Sequence, residues 1–79
     1  MGPKLTGLRE ELERSVHLRT GRRVRNLAIQ VNPEGIVLHG QAGSYYVKQL
    51  AQHGVRELLP EVRLVNSIVV ERPAAVNGG

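Results

Sequence analysis

The stretch Gly35-Ile36-Val37-Leu38-His39-Gly40-Gln41-Ala42-Gly43-Ser44-Tyr45-Tyr46-Val47 changes its hydrophobic period halfway along. In its first half, Ile36 and Leu38 alternate with their neighbours, the period of two that places side chains on opposite faces of a strand. After the turn Gly40–Gly43 the period becomes helical, and one apolar stripe contains Val47, Leu50, Ala51, Gly54, Val55 and Leu58. The stretch therefore predicts a strand that leads through a glycine-spaced turn into a helix starting at Ser44.

Two elements are predicted upstream of this strand. Four apolar residues recur at helical spacing and predict an amphipathic helix that ends at Gly21: Leu5, Leu8, Leu12 and Val16. A first strand is indicated by Leu27, Ile29 and Val31, which alternate with small or polar residues. Asn32-Pro33-Glu34-Gly35 has the residue order of a type I turn followed by a left-handed glycine, so the two strands should form an antiparallel hairpin.

Downstream, Pro60 should end the second helix and Glu61–Glu71 should form a third strand. The resulting order predicts an α+β fold, α-β-β-α-β, with a three-stranded sheet and both helices on one face. A third strand beside the second would run parallel to it through a right-handed connection, whereas beside the first it would be antiparallel; we favour the mixed sheet. We expect Gly54 to let the second helix approach the sheet, and Gly40 to give room for helix packing.

Length and composition limit the functions that the chain can have. The 79 residues suit a single domain, which we expect over residues 4–72 with flexible termini at 1–3 and 73–79. Eleven Lys and Arg against seven acidic residues, all of them Glu, give a net charge of +4, a modest bias toward anionic partners. No apolar run is long enough to span a membrane, and Met1–Lys4 lacks the apolar region of a signal peptide, so we expect a soluble chain.

The residues also argue against catalysis and against a metal or other cofactor. Cysteine is absent, and His17, His39 and His53 fall on separate elements without ligand spacing. No serine has a nearby base with an orienting acid. Gly40-Gln41-Ala42-Gly43 has the GxxG form of a nucleic-acid clamp, but it follows a strand and contains no basic residue. We therefore expect a binding protein that is not an enzyme, and nucleic-acid binding through the basic loop ranks third among its functions.

The sequence resembles the BON domain, a family found in bacterial envelope and osmotically induced proteins. The resemblance covers roughly Leu5 to Val70, and it rests on matched positions in the second strand, the second helix and the closing Asn-x-Ile-x-Val: Ile36, Leu38, Gly40, Ala51, Val55, Asn66, Ile68 and Val70. It implies a non-catalytic attachment module for phospholipid surfaces or envelope components. It also implies the bacterial periplasm or cell envelope as the location.

Connectivity predicts a basic edge. The end of the first helix, the loop after it, the Gly40–Gly43 turn and the start of the second helix should meet there. The candidate residues for binding anionic lipid at this edge are Arg19, Arg22, Arg23, Arg25, Tyr45 and Tyr46. The alternative interpretation is that the arginines only stabilise the carboxyl end of the first helix and that Tyr46 packs on its own helix.

The face of the sheet that the helices leave bare offers a second surface. Its candidate partner residues are Val37, His39, Val65 and Val69, with Ala28 beside them. A half-apolar bare face is typical of a contact surface, so docking of an envelope protein or weak homo-oligomerisation is the alternative function.

Overall fold

The computed structural model of the chain describes residues 5–71. Its elements are α1 (Leu5–Thr20), β1 (Val24–Asn32), β2 (Gly35–Ala42), α2 (Tyr45–Leu58) and β3 (Leu64–Val70). The predicted α-β-β-α-β order is therefore confirmed. The segments 1–3 and 73–79, expected to be flexible, lie outside the described residues.

The three strands form one mixed sheet in the order β1-β2-β3. β1 is antiparallel to β2, and β3 is parallel to β2, as predicted. Hydrogen bonds close both ends of the parallel pair. The Ile36 N–H donates to the Arg63 carbonyl at 2.9 Å, and the Glu71 N–H donates to the Ala42 carbonyl at 2.8 Å. The end of β3 is thereby fixed beside the end of β2.

The core lies between the two helices and one face of the sheet. Its buried members are Leu12, Val16, Val24, Ile29, Ile36, Leu38, Ala42, Val47, Ala51, Val55 and Ile68. Most positions that the sequence assigned to the inner faces are thus buried. Leu58 is an exception, because it is the last residue of α2 and remains 42% exposed. Together with Leu18 it lines an open groove between the helices.

β1 contains a bulge that simple alternation did not predict. The pairing register with β2 slips between Arg25 and Ala28, and Asn26 in this bulge has a φ of 55°. Asparagine is among the few residues that tolerate this region. A Cβ on Gly40 would lie 2.8 Å from the Val24 side chain and 3.0 Å from the Arg25 carbonyl oxygen. Gly40 therefore makes room for the bulged strand, and the expectation that it makes room for a helix was wrong.

Gly54 also has a different neighbour from the one expected. A Cβ at this position would lie 2.9 Å from the Cα of Val16. The close approach of α2 is therefore to the backbone of α1 and not to the sheet. The sequence identified the position correctly, since a mid-helix glycine is costly without close packing, but it could not identify the partner.

The hairpin between β1 and β2 is confirmed, with Asn32 paired with Gly35. Gly35 has a φ of 153°, which is positive but is not the left-handed helical value that we expected. Its lack of a side chain serves a contact with the residue just before the neighbouring strand β3, because a Cβ there would overlap the Arg63 carbonyl. The loop before β3 thus rests directly on the hairpin.

β3 begins at Leu64, three residues later than predicted. The preceding residues form a turn that the Arg56 side chain holds, because its Nη1 donates to the carbonyls of Pro60 at 3.2 Å and Val62 at 2.5 Å. The sequence pattern did not reveal this turn, because Val62 and Leu64 are spaced like alternate residues of a strand and so made the strand look longer than it is.

Candidate anion-binding site

The N-terminus of α2 carries free backbone donors. Ser44 is its N-cap: the Ser44 Oγ accepts a hydrogen bond from the Val47 N–H at 3.2 Å. The N–H groups of Tyr45 and Tyr46 have no acceptor within the helix, because these are its first two residues. No acidic residue lies in this turn. The positive end of the helix dipole is therefore not offset by a carboxylate of the same turn.

The C-terminus of α1 directs two arginines toward this helix start. Gly21 and Arg22 have φ values of 63° and 59°, and the Arg22 N–H donates to the His17 carbonyl at 3.0 Å. This six-residue closure ends the helix in the way that a Schellman motif does. The chain then turns into β1, with Arg23 between the helix end and the first residue of the strand.

Arg22, Arg23 and Arg25 share one open depression with the start of α2. Its lining residues are Arg22, Arg23, Arg25, Gly43, Ser44 and Val47, and its volume is about 530 Å³. We call it the basic cavity. The structure thus brings three of the four candidate arginines to the N-terminus of α2. The order of the elements along the chain had predicted that these segments meet.

The three arginines differ in how much of their hydrogen-bonding capacity is already used. The Arg23 Nε donates to the Thr20 carbonyl at 2.7 Å, which leaves its two terminal nitrogens for other acceptors. Arg25 forms an exposed ion pair with Glu71. Within residues 5–71, no acceptor for the Arg22 guanidinium is found. The alternative interpretation, stabilisation of the α1 carboxyl end, is therefore supported by a side-chain hydrogen bond at Arg23, whereas the Arg22 side chain makes none within these residues.

Arg19 does not belong to the basic cavity. Its guanidinium pairs with Glu57, in the last turn of α2. From connectivity alone it was expected at the same edge as Arg22, because both are near the end of α1. Arg19 lies within α1, however, and its side chain reaches Glu57, whereas Arg22 follows the helix, after the turn at Gly21.

Tyr45 and Tyr46 are 62% and 64% exposed. They follow Ser44 directly, but neither lines the basic cavity. Both residues are therefore largely in solvent and lie outside the buried core.

Sequence reasoning missed Glu71, which competes with any anion for Arg25. The signal was present in the predicted parallel pairing, because a parallel β3 must end beside the end of β2 and near the start of β1. Gly43 and Val47 were also not named as site residues, although both line the cavity.

The outer face of the sheet, which the helices do not cover, carries the four candidate partner residues. Val65 and Val69 are 50% and 58% exposed, Val37 is half-buried, and His39 is exposed. The His39 Nε2 lies 3.0 Å from the Gln30 Oε1 on the neighbouring strand. The face is therefore a patch of valines with polar side chains around it.

Within the described part of the chain, no group of three or more His, Cys, Asp or Glu side chains could hold a metal ion. None of the helices between residues 5 and 71 is long and apolar enough to cross a membrane. Comparison with family models, with curated proteins and with solved structures finds no match for this chain.

Proposed function

We propose that this protein is a non-catalytic attachment module that binds an anionic phospholipid surface through the basic cavity. The observation that carries the proposal is the meeting of Arg22, Arg23 and Arg25 with the N-terminus of α2. Each of these two features attracts phosphate, and residues of both line one opening.

The chemistry of the cavity suits a phosphate group. Guanidinium groups donate pairs of parallel hydrogen bonds to phosphate oxygens, and none of the Arg22 guanidinium donors is used within residues 5–71. Ser44, the N-cap of α2, lines the cavity, and the positive end of the helix dipole at this helix start favours an anion. The exposed rings of Tyr45 and Tyr46 suit the headgroup layer, because each ring is apolar and its hydroxyl remains hydrated.

The binding should be weak and sensitive to salt. Each arginine near an anionic membrane surface contributes about 1 kcal/mol, and this contribution declines as ionic strength rises. The resemblance of the sequence to the BON domain supports the same function. On this proposal the protein acts at the bacterial periplasm or cell envelope.

Co-sedimentation with phosphatidylglycerol vesicles, at low and high salt, tests the proposal. The main variant is Arg22→Glu with Arg23→Glu. Its matched control is Arg9→Glu with Arg14→Glu, which changes the net charge equally at exposed positions of α1. A second variant, Tyr45→Ala with Tyr46→Ala, removes both rings and leaves the charge unchanged.

The wild-type protein should bind at low salt and dissociate at high salt, and the Arg22/Arg23 variant should lose binding while the α1 control keeps most of it. The tyrosine variant should bind more weakly than wild type. If both charge variants lost vesicle binding equally, binding would depend on the net charge of the protein and not on a particular site. That result would overturn the proposal. Retention of a single-stranded oligonucleotide without vesicle binding would assign the cavity to nucleic acid instead.

A further inference from the structure

β3 is an edge strand, and within residues 5–71 no strand pairs with its outer side. The Arg63 carbonyl and the Glu71 N–H, on the odd-numbered residues that flank the strand, are hydrogen-bonded to β2. Because backbone groups alternate in direction along a strand, the even-numbered residues direct their N–H and C=O groups to the free edge: Leu64, Asn66, Ile68 and Val70. β3 contains no charged residue and no proline, the two features that commonly block strand addition.

The sequence around β3 is self-complementary about Ser67. Arg63 lies four residues before Ser67 and Glu71 four residues after it, while Val65 and Val69 lie two residues before and after. If two copies of β3 ran antiparallel about Ser67, Arg63 of each copy would stand opposite Glu71 of the other. In the same register, Val65 of each copy would stand opposite Val69 of the other.

We propose that β3 pairs with β3 of a second copy of this chain, antiparallel and centred on Ser67, to form a continuous six-stranded sheet. The two-fold axis passes between the two Ser67 residues, perpendicular to the sheet, so the helices of both copies lie on the same side. The edge of the sheet, and not its outer face, is therefore the surface between the copies.

The proposed register agrees with the directions of the backbone groups. It places Asn66 opposite Ile68 and Leu64 opposite Val70, and these are the residues whose N–H and C=O groups face the free edge. The odd-numbered residues then form the pairs without direct hydrogen bonds, in which side chains approach most closely. The exposed Val65 and Val69 side chains would cover each other in these pairs.

Two existing contacts compete with this pairing. The Asn66 Oδ1 accepts a hydrogen bond from the Ile68 N–H at 3.2 Å, so an incoming strand must displace it. Glu71 already pairs with Arg25 of its own chain. The association is therefore weak, with the monomer dominant at micromolar concentration and the dimer populated toward millimolar concentration.

Sedimentation equilibrium from micromolar to millimolar protein tests the pairing, with variants in which the charges at positions 63 and 71 are reversed singly or together. Arg63→Glu alone places glutamates opposite each other at both ends of the interface and should raise the dimer Kd by about tenfold or more. Arg63→Glu with Glu71→Arg restores opposite charges in this register and should recover dimerisation. Thermal unfolding of the dilute monomers controls for damage to the fold.

Cysteine cross-linking tests the position of the axis, because the chain has no cysteine of its own. Ser67→Cys should form a disulfide-linked dimer rapidly under mild oxidation, since the two positions would be about 4.5 Å apart between Cα atoms, within the range for a disulfide. Val65→Cys is the matched control, exposed on the same strand but opposite Val69, and it should cross-link slowly.

A strict monomer at millimolar concentration would overturn the proposal. So would equal cross-linking by the two cysteine variants. Dimerisation that Val37→Lys abolishes and Arg63→Glu leaves unchanged would show packing through the outer face and would also overturn it. Vesicle binding by a strictly monomeric protein would leave the proposed function standing, so the two failures are distinguishable.

Discussion

The Ser15 hydroxyl on α1 donates a hydrogen bond to the backbone carbonyl of Gly54 on α2, with 2.7 Å between the two oxygens. The contact lies where the helices come closest. A Cβ on Gly54 would lie 2.9 Å from the Val16 Cα and 3.1 Å from the Ser15 carbonyl oxygen. The absence of a side chain at Gly54 thus brings its carbonyl within reach of Ser15, and the two residues together fix the helix crossing.

We expect Gly54→Ala to destabilise the protein by up to about 2 kcal/mol. Alanine gains about 1 kcal/mol of helix propensity, but the added methyl group meets backbone atoms of α1 that cannot rotate away, and overpacking of this kind costs about 1–3 kcal/mol. The helices must separate, which also lengthens the Ser15 hydrogen bond. Urea unfolding followed by circular dichroism measures the change.

Gly7→Ala is the matched control for that substitution. Gly7 also lies inside a helix, but nothing stands within 4 Å of a Cβ placed there. Helix propensity alone should act, so this variant should be more stable than wild type by up to about 1 kcal/mol. A stabilised Gly54→Ala variant would show that the helices do not approach as closely as the structure has them.

The two glycines show where sequence reasoning stops. Both Gly40 and Gly54 stood out because glycine is unfavourable inside a strand or helix unless another part of the chain comes close. This preference is local, so the sequence alone marks both positions. Identifying the neighbour needs the register slip in β1 and the crossing point of the helices, and both depend on long-range packing that no spacing of apolar residues encodes.

Gly40→Ala should destabilise the protein by about 2–3 kcal/mol. Gly40 has a φ of 151°, which costs other residues about 1–3 kcal/mol, and the new methyl group would also meet the Val24 side chain at 2.8 Å. Thermal unfolding measures the loss. Gly43→Ala is the control, because a Cβ at Gly43 has open space, and it should change stability by less than about 0.5 kcal/mol.

The helix stripe predicted Leu58 to be as buried as the other apolar residues of α2, and its exposure gives a direct comparison. Leu12→Ala removes a fully buried side chain and should cost about 2–5 kcal/mol through lost burial and a new cavity. Leu58→Ala should cost about 1 kcal/mol or less, since 42% of the residue is already exposed. Equal losses in chemical denaturation would show that Leu58 belongs to the core after all.

The sequence was enough to predict which helices, strands and loops meet at the candidate site. It was not enough to predict the side-chain contacts there. The order of helix, loop, strand and turn was enough to bring Arg22, Arg23 and Arg25 to the start of α2. It did not reveal which arginines have carboxylate partners, because Glu57 and Glu71 lie 38 and 46 residues away along the chain. The Arg19–Glu57 pair depends on how the two helices are rotated, which only the folded structure supplies, whereas the predicted parallel pairing already brings Glu71 near the start of β1.

Those two ion pairs allow a sharp test of where an anionic membrane binds. Glu71→Gln releases Arg25 inside the basic cavity, whereas Glu57→Gln releases Arg19 away from it. Both substitutions raise the net charge by one and keep the size of the side chain. With phosphatidylglycerol vesicles at low salt, Glu71→Gln should bind about fivefold more tightly than wild type, which corresponds to about 1 kcal/mol for one arginine at the surface. Glu57→Gln should change the affinity much less.

The comparison is made at micromolar protein, where the chain is expected to be monomeric, because Glu71 also belongs to the proposed β3 pairing. The advantage of Glu71→Gln should disappear in the Arg25→Gln background, since no guanidinium is then left to release, and it should shrink as salt is added. An equal gain in vesicle affinity from both glutamine variants would mean that binding depends only on the total charge of the protein. In that case the basic cavity would not be the binding site.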